Sequence, residues 1–95
     1  MEARVGLLVI DLLIPGAATL KDKRQVVRSL LDRAAARFNV SVAEIDHLER
    51  HGRATLAFSC VGKDATRVRQ VLERVRQLAE GEPRAELVDA SIEML

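Results

Sequence analysis

Residues 14–51 decide the fold of this chain, and they read IPGAATLKDKRQVVRSLLDRAAARFNVSVAEIDHLERH. The Pro15-Gly16 pair predicts a turn. Thr19 is placed to cap the helix that follows, and Asp22, three residues later, predicts an imperfect capping box. Apolar residues then recur at helical spacing as far as Phe38, where the helix should end. The stretch therefore predicts a turn, a helix and then a short strand over residues 40–46.

The segments on either side of this stretch supply the remaining elements. Residues 4–13 form a nearly continuous apolar run, which is typical of a central strand. Residues 53–61 predict a strand that pairs with the preceding one as a hairpin through a polar turn. Asp64 and Gly81 are placed to begin and end a second helix, and residues 85–94 alternate as a last strand.

The resulting order of elements is β-α-β-β-α-β. Right-handed crossovers would place both helices on the same side of the sheet. We therefore predict a single α+β domain over residues 1–95 with the ferredoxin-like fold, a four-stranded antiparallel sheet with two helices on one face.

Composition narrows the functional classes. The chain has 95 residues, 48% of them hydrophobic, which suits one folded domain and excludes a disordered tail. Cys60 is the single cysteine, so no internal disulfide can form and a cytoplasmic location is expected. No apolar run approaches the roughly 20 residues of a membrane span, and the N-terminus does not look like a signal peptide.

Positive charge concentrates in the first helix. Residues 21–37 carry six basic and two acidic side chains. We expect a surface that contacts the phosphates of structured RNA, formed by Lys21, Lys23, Arg24 and Arg28. The alternative is a solvated helix face whose long side chains cover the edge of the core.

The sheet face away from the helices is the second candidate surface. One alternating set of the first strand must point there, and we expect it to be Val5, Leu7 and Val9, joined by Leu87. Such an apolar patch favours a homodimer or another protein partner, although it is also small enough to remain in water. Base stacking on this face is not expected, because Phe38 and Phe58 are the only aromatic rings of the Phe, Tyr and Trp class and both are assigned to the core.

The turn between the second and third strands carries His47 and His51. Their spacing suits a metal only on a helix, and we place them on a hairpin, so no metal or cofactor is expected. The sequence has no motif for nucleophilic catalysis, which favours a protein that is not an enzyme. Pro15-Gly16 weakly resembles the ligand loop of ACT domains, so the alternative function is a ligand-sensing or scaffolding oligomer that uses the open sheet face.

Two segments are specific enough to indicate a family, namely Leu20–Arg24 (LKDKR) and Phe38–Glu44 (FNVSVAE). With them, nearly the whole chain resembles the YlxP-like family of small bacterial proteins of unknown function. The resemblance implies the same ferredoxin-like fold and no established catalytic residues. Family genes tend to lie near genes of translation initiation and ribosome maturation, which implies an accessory role in RNA or ribosome biology. Members tend to carry a longer, Trp-containing turn after the position of His47, which this chain lacks.

Overall fold

The computed structural model describes residues 2–95, and it confirms the predicted βαββαβ order. The sheet has the strand order β2-β3-β1-β4, and its three pairings are antiparallel. The elements are β1 (Arg4–Leu13), α1 (Leu20–Arg37), β2 (Val40–Asp46), β3 (Arg53–Gly62), α2 (Ala65–Glu80) and β4 (Glu86–Met94). The short strand β2 and the strand β4 are the two edges.

The first helix begins at a complete capping box. The backbone N–H of Asp22 donates to the Thr19 hydroxyl at 3.1 Å, and the Thr19 N–H donates to the Asp22 carboxylate at 3.1 Å. The Ala18 N–H also donates to this carboxylate, and this bond is the main cause that lowers the pKa of Asp22. Asp22 therefore takes the role that glutamate usually has in a capping box, because its carboxylate accepts hydrogen bonds from backbone N–H groups at the start of the helix.

The core lies between one face of the sheet and the two helices. Leu8, Ile10 and Leu12 of β1 are fully buried on that face. Gly6 continues the same row, and a Cβ there would lie only 2.8 Å from the side chain of Leu72 in α2. Glycine is therefore needed at this position for α2 to approach β1 closely.

The prediction that Leu87 faces away from the helices is wrong. Strand β4 pairs Asp89 with Asp11 but Leu87 with Leu12, so one extra residue, Val88, is inserted as a bulge. A bulge of one residue reverses which side of the sheet the following side chains occupy. Leu87 therefore packs against the core, and Val88 is left exposed.

Candidate nucleic-acid interface

The basic flank of α1, which we define as Lys21, Arg24 and Arg28, lies at one side of the sandwich. All three side chains are exposed, and none forms an ion pair with another side chain in residues 2–95. Because they follow one another at i, i+3 and i+7, they span about 10 Å along the helix axis. The sequence prediction thus correctly places these three cations on one accessible surface.

A shallow groove of about 270 Å³ runs between this flank and the edge strand β2. Its apolar part is formed by Val27 and Leu31 from α1 and Val42 from β2. Two carboxylates, Asp32 and Glu44, also line it. The groove is therefore mixed in charge, because Arg24 and Arg28 line it together with these two carboxylates.

Lys23 does not belong to this surface, which corrects the sequence prediction. Its side chain is 1% exposed, and its ammonium donates to the carbonyl oxygens of His47 at 2.8 Å, Arg53 at 3.3 Å and Leu48 at 3.4 Å. The Glu44 Oε2 atom lies 2.8 Å from the same nitrogen, although the angle is not that of a hydrogen bond. A buried ammonium with these neighbours cannot also reach a phosphate. Lys23 therefore connects α1 to the β2–β3 turn.

This buried lysine changes the charge of the proposed surface. Glu44 is neutralised by Lys23, so Asp32 is the carboxylate of the groove that has no partner among the described residues. Asp32 forms no ion pair within the described residues, even with Arg28 four residues before it. Three cations therefore face one uncompensated carboxylate on this side of the molecule.

The two histidines of the turn have separate structural contacts. His51 Nδ1 lies 2.8 Å from the carbonyl oxygen of Ala17 in the β1–α1 loop. His47 adopts a positive φ of 61° and lies beside Asp46, with 3.8 Å between Nε2 and Oδ2. In the part of the chain that the structure describes, no three His, Cys, Asp or Glu side chains are grouped as a metal site would require.

The open face of the sheet carries the predicted apolar side chains of β1. Val5, Leu7 and Val9 are half-buried there, and Val61, which is paired with Val5, is 54% exposed. Phe58 points the other way and is fully buried. The neighbouring row on β4 is polar and consists of Asp89, Ser91 and Glu93.

The β1–α1 loop, α1 and Arg84 line an open cavity of about 270 Å³, at the place where the sequence resembles a ligand loop. Asp22 and Arg84 are its charged residues. Both are already engaged, Asp22 in the capping box and Arg84 with both carboxylate oxygens of Glu82 at 2.9 Å. The charged groups of this cavity are therefore satisfied within the protein.

The sequence reasoning missed one cluster, in the groove between the two helices. Arg37 and Phe38 at the end of α1 line it with Arg74, Gln77 and Leu78 of α2. The Arg37 guanidinium lies 5.7 Å from the centre of the Phe38 ring, which is half-buried and not part of the fully buried core. Arg74 and Leu78 are four residues apart and so share one helix face, but the sequence does not indicate that this face meets the end of α1.

No helix within residues 2–95 is both long enough and apolar enough to cross a membrane.

The family described as "Protein of unknown function (DUF503)" matches residues 5–92. A protein described as "Uncharacterized protein YlxP" from Bacillus subtilis (strain 168) is 28% identical over 82 residues, which cover 86% of this chain and 89% of that protein.

Solved structures with low sequence identity share the fold. The de novo designed protein Foldit4 is 12% identical with a TM-score of 0.57, and the match covers 99% of this chain and 97% of Foldit4. A putative chlorite dismutase, TA0507, is 15% identical with a TM-score of 0.55, covering 99% of this chain but 43% of its own. PA3566 from Pseudomonas aeruginosa is 15% identical with a TM-score of 0.54, covering 100% and 94%. At these identities the likeness concerns the fold alone.

Proposed function

Since the chain belongs to this DUF503 family of proteins of unknown function, its role must be argued from its own surface, and we propose that it binds structured RNA. The interface is the basic flank of α1, with Lys21, Arg24 and Arg28 each contacting a phosphate. The observation that carries the proposal is that three exposed cations share one helix flank without carboxylate partners among the described residues.

The geometry of the flank suits a regular phosphate backbone. Its length of about 10 Å allows the three cations to lie in a row along one strand of the RNA backbone, where each can neutralise phosphate charge. Two of the three cations are arginines, whose guanidinium groups bind phosphate oxygens in a bidentate manner. Contacts of this kind position an RNA without reading its sequence. Binding of this kind suits an accessory role in RNA or ribosome biology.

The test is binding of a short RNA duplex and of ribosomal fractions at several salt concentrations. A variant that combines Lys21→Ala, Arg24→Ala and Arg28→Ala should bind more weakly, and the slope of log K against log salt should fall by about three. A charge-matched control is Lys63→Ala with Arg67→Ala and Arg69→Ala at the start of α2, where the side chains are also exposed. Equal loss in both variants, or no loss in the first, would refute the interface.

A second candidate function rests on the open sheet face. We define the apolar patch as Val5, Leu7, Val9 and Val61. It covers roughly a few hundred Å², which is near the size at which exposed apolar patches mark contacts between proteins. Two copies facing each other through a twofold axis would cover it with a single patch on each. A scaffolding homodimer of this kind is independent of the basic flank of α1, which lies at the other side of the sandwich.

Sedimentation at micromolar concentration tests the dimer directly. The wild-type protein should sediment as a dimer, and Leu7→Lys should convert it to a monomer. Thr66→Lys, at an exposed position of α2, adds the same charge away from the patch and should leave the dimer intact. A wild-type protein that remains monomeric throughout excludes self-association by this face.

A further inference from the structure

The inter-helix groove, defined above by Arg37, Phe38, Arg74, Gln77 and Leu78, differs from the other cavities in its charge. It has a volume of about 420 Å³ and opens to solvent between the end of α1 and the C-terminal half of α2. Both of its charged residues are arginines, and neither forms an ion pair within residues 2–95. The groove thus holds two exposed guanidinium groups with no counter-charge in its walls.

The neighbouring cavities show that this arrangement is unusual for the molecule. The groove beside the basic flank contains Asp32, the cavity of the β1–α1 loop contains Asp22, and the hollow at the β2–β3 turn contains Glu49. In each of these the cations are accompanied by a carboxylate. Two like charges on one concave surface repel each other, and an anion between them relieves this repulsion. Arg37 and Arg74 are therefore placed to bind an anion.

The remaining walls of the groove indicate which kind of anion fits. Phe38 and Leu78 are half-buried and provide an apolar surface, and the exposed Gln77 offers an amide that both donates and accepts hydrogen bonds. The volume falls in the range of small-ligand sites, about 300–1,000 Å³. A ligand that combines a phosphate with a flat, hydrogen-bonding ring would use all of these groups.

One electrostatic effect opposes an anion here, because the groove lies at the C-terminal end of α1. The helix dipole places about half a negative elementary charge at that end. Two guanidinium groups together carry two positive charges, which is more than this. The local potential is thus expected to stay positive, and it falls as salt increases.

We propose that the inter-helix groove binds a nucleotide, with the phosphate between Arg37 and Arg74 and the base against Phe38 and Leu78. The ligand is a free nucleoside phosphate or one unit of a single-stranded RNA, since both present the same phosphate and base. The proposal goes beyond the RNA interface of α1 and does not depend on it. The two surfaces lie on opposite flanks of the helix and are removed by different substitutions.

The experiment is an NMR titration of the isotope-labelled protein, followed at the backbone amides of Phe38, Asn39 and Leu78. Four probes are compared, namely AMP, adenosine, inorganic phosphate and a short single-stranded oligoadenylate. We expect saturable shifts with AMP or with the oligonucleotide at a Kd of about 1 mM or tighter. Adenosine and inorganic phosphate should bind at least tenfold more weakly.

The two nucleotide probes distinguish the sources of the ligand. AMP binding supports a site for free nucleotides, and binding of the oligonucleotide alone supports a site for single-stranded RNA. No shift with either probe overturns the proposal. Equal affinity for AMP and inorganic phosphate overturns the base contact with Phe38.

Variants then test which side chains are responsible. Arg37→Gln combined with Arg74→Gln should reduce nucleotide affinity at least tenfold, while the charge-matched pair Lys63→Gln and Arg69→Gln should not. Phe38→Leu keeps an apolar side chain and should weaken AMP binding severalfold without changing the affinity for inorganic phosphate. Unchanged nucleotide binding in the arginine variant would overturn the site.

The same titration separates this proposal from the function proposed for α1. The variant with alanine at Lys21, Arg24 and Arg28 should keep its nucleotide shifts in the groove, whether or not it binds the RNA duplex. Loss of nucleotide binding in that variant contradicts the assignment to the groove. Loss of duplex binding alone concerns only the basic flank of α1.

Discussion

Replacing Lys23 by methionine should destabilise the protein more than any other single change to a charged residue of α1. Methionine has a similar length and packs well in the space of the lysine stem, so the main effect is loss of the ammonium. The lysine side chain is 1% exposed, and its ammonium lies within hydrogen-bonding distance of the carbonyl oxygens of His47 and Leu48 in the turn and of Arg53 at the start of β3. Its removal also leaves Glu44, which is 17% exposed, without its counter-charge.

The size of the effect follows from these contacts. Removing one partner of a buried ion pair costs about 3–5 kcal/mol. Because water can still reach Glu44, we expect the lower end, about 3 kcal/mol. The total stability expected for a domain of this length is roughly 5–14 kcal/mol, from about 0.05–0.15 kcal/mol per residue. The substitution therefore removes a large share of the stability, and the hairpin loses its tie to α1.

Urea unfolding followed by far-UV circular dichroism measures this loss. With an m-value of about 1–3 kcal/mol per molar urea, the midpoint should fall by roughly 1–3 M. The control is Lys21→Met, which removes an exposed charge two residues away and should change the free energy of unfolding by about 0.5 kcal/mol or less. Adding Glu44→Gln to Lys23→Met should recover part of the loss, because the unpaired buried charge is then removed.

The result that refutes the reasoning is equal unfolding midpoints for Lys23→Met and Lys21→Met. Lys23 would then lie in water in solution, where it is free to contact phosphates as the sequence predicts. A double variant that is no more stable than Lys23→Met would show that the cost comes from the unpaired carbonyl oxygens and not from Glu44.

Three further predictions concern the packing around Gly6, the stability of the protein at acidic pH and the reactivity of the Cys60 thiol. Gly6→Ala should lower the free energy of unfolding by about 1–3 kcal/mol, because the new Cβ would lie 2.8 Å from the side chain of Leu72. The control is Gly16→Ala, where the new Cβ has open space around it. It should have a much smaller effect in a urea titration. Hydrogen bonding from Arg84 is the main cause that lowers the pKa of Glu82 from 4.5 to about 2, against the effect of burial. This stabilisation is complete above the unfolded pKa and is lost as pH falls from about 4.5 towards 2, so thermal unfolding between these pH values should show a smaller decline for Glu82→Gln than for the wild type. Burial raises the pKa of the Cys60 thiol. A thiol reagent at neutral pH should therefore label the native protein much more slowly than the protein unfolded in urea. Equal labelling rates would show that β3 opens readily.

The sequence by itself determined the elements and their order. The continuous apolar run of β1, the helical spacing after Thr19 and the alternation of β3 are local signals, each produced by the geometry of one segment. Their order left few topologies, because parallel crossovers are right-handed. The exposed positions of Lys21, Arg24 and Arg28 also followed from helical spacing alone.

Only the tertiary structure decided the burial and the contacts of those side chains that pack against a second element. Lys23 has the spacing of a surface residue, but the β2–β3 turn and the first residue of β3 close over it and supply three carbonyl oxygens. Leu87 follows the alternation of an ordinary strand until a bulge opposite β1 turns it into the core. Arg37 and Arg74 are 37 positions apart in the sequence and line one groove because of how the two helices pack. Helical and strand periodicity describe one segment at a time, so contacts between segments lie beyond what they can predict.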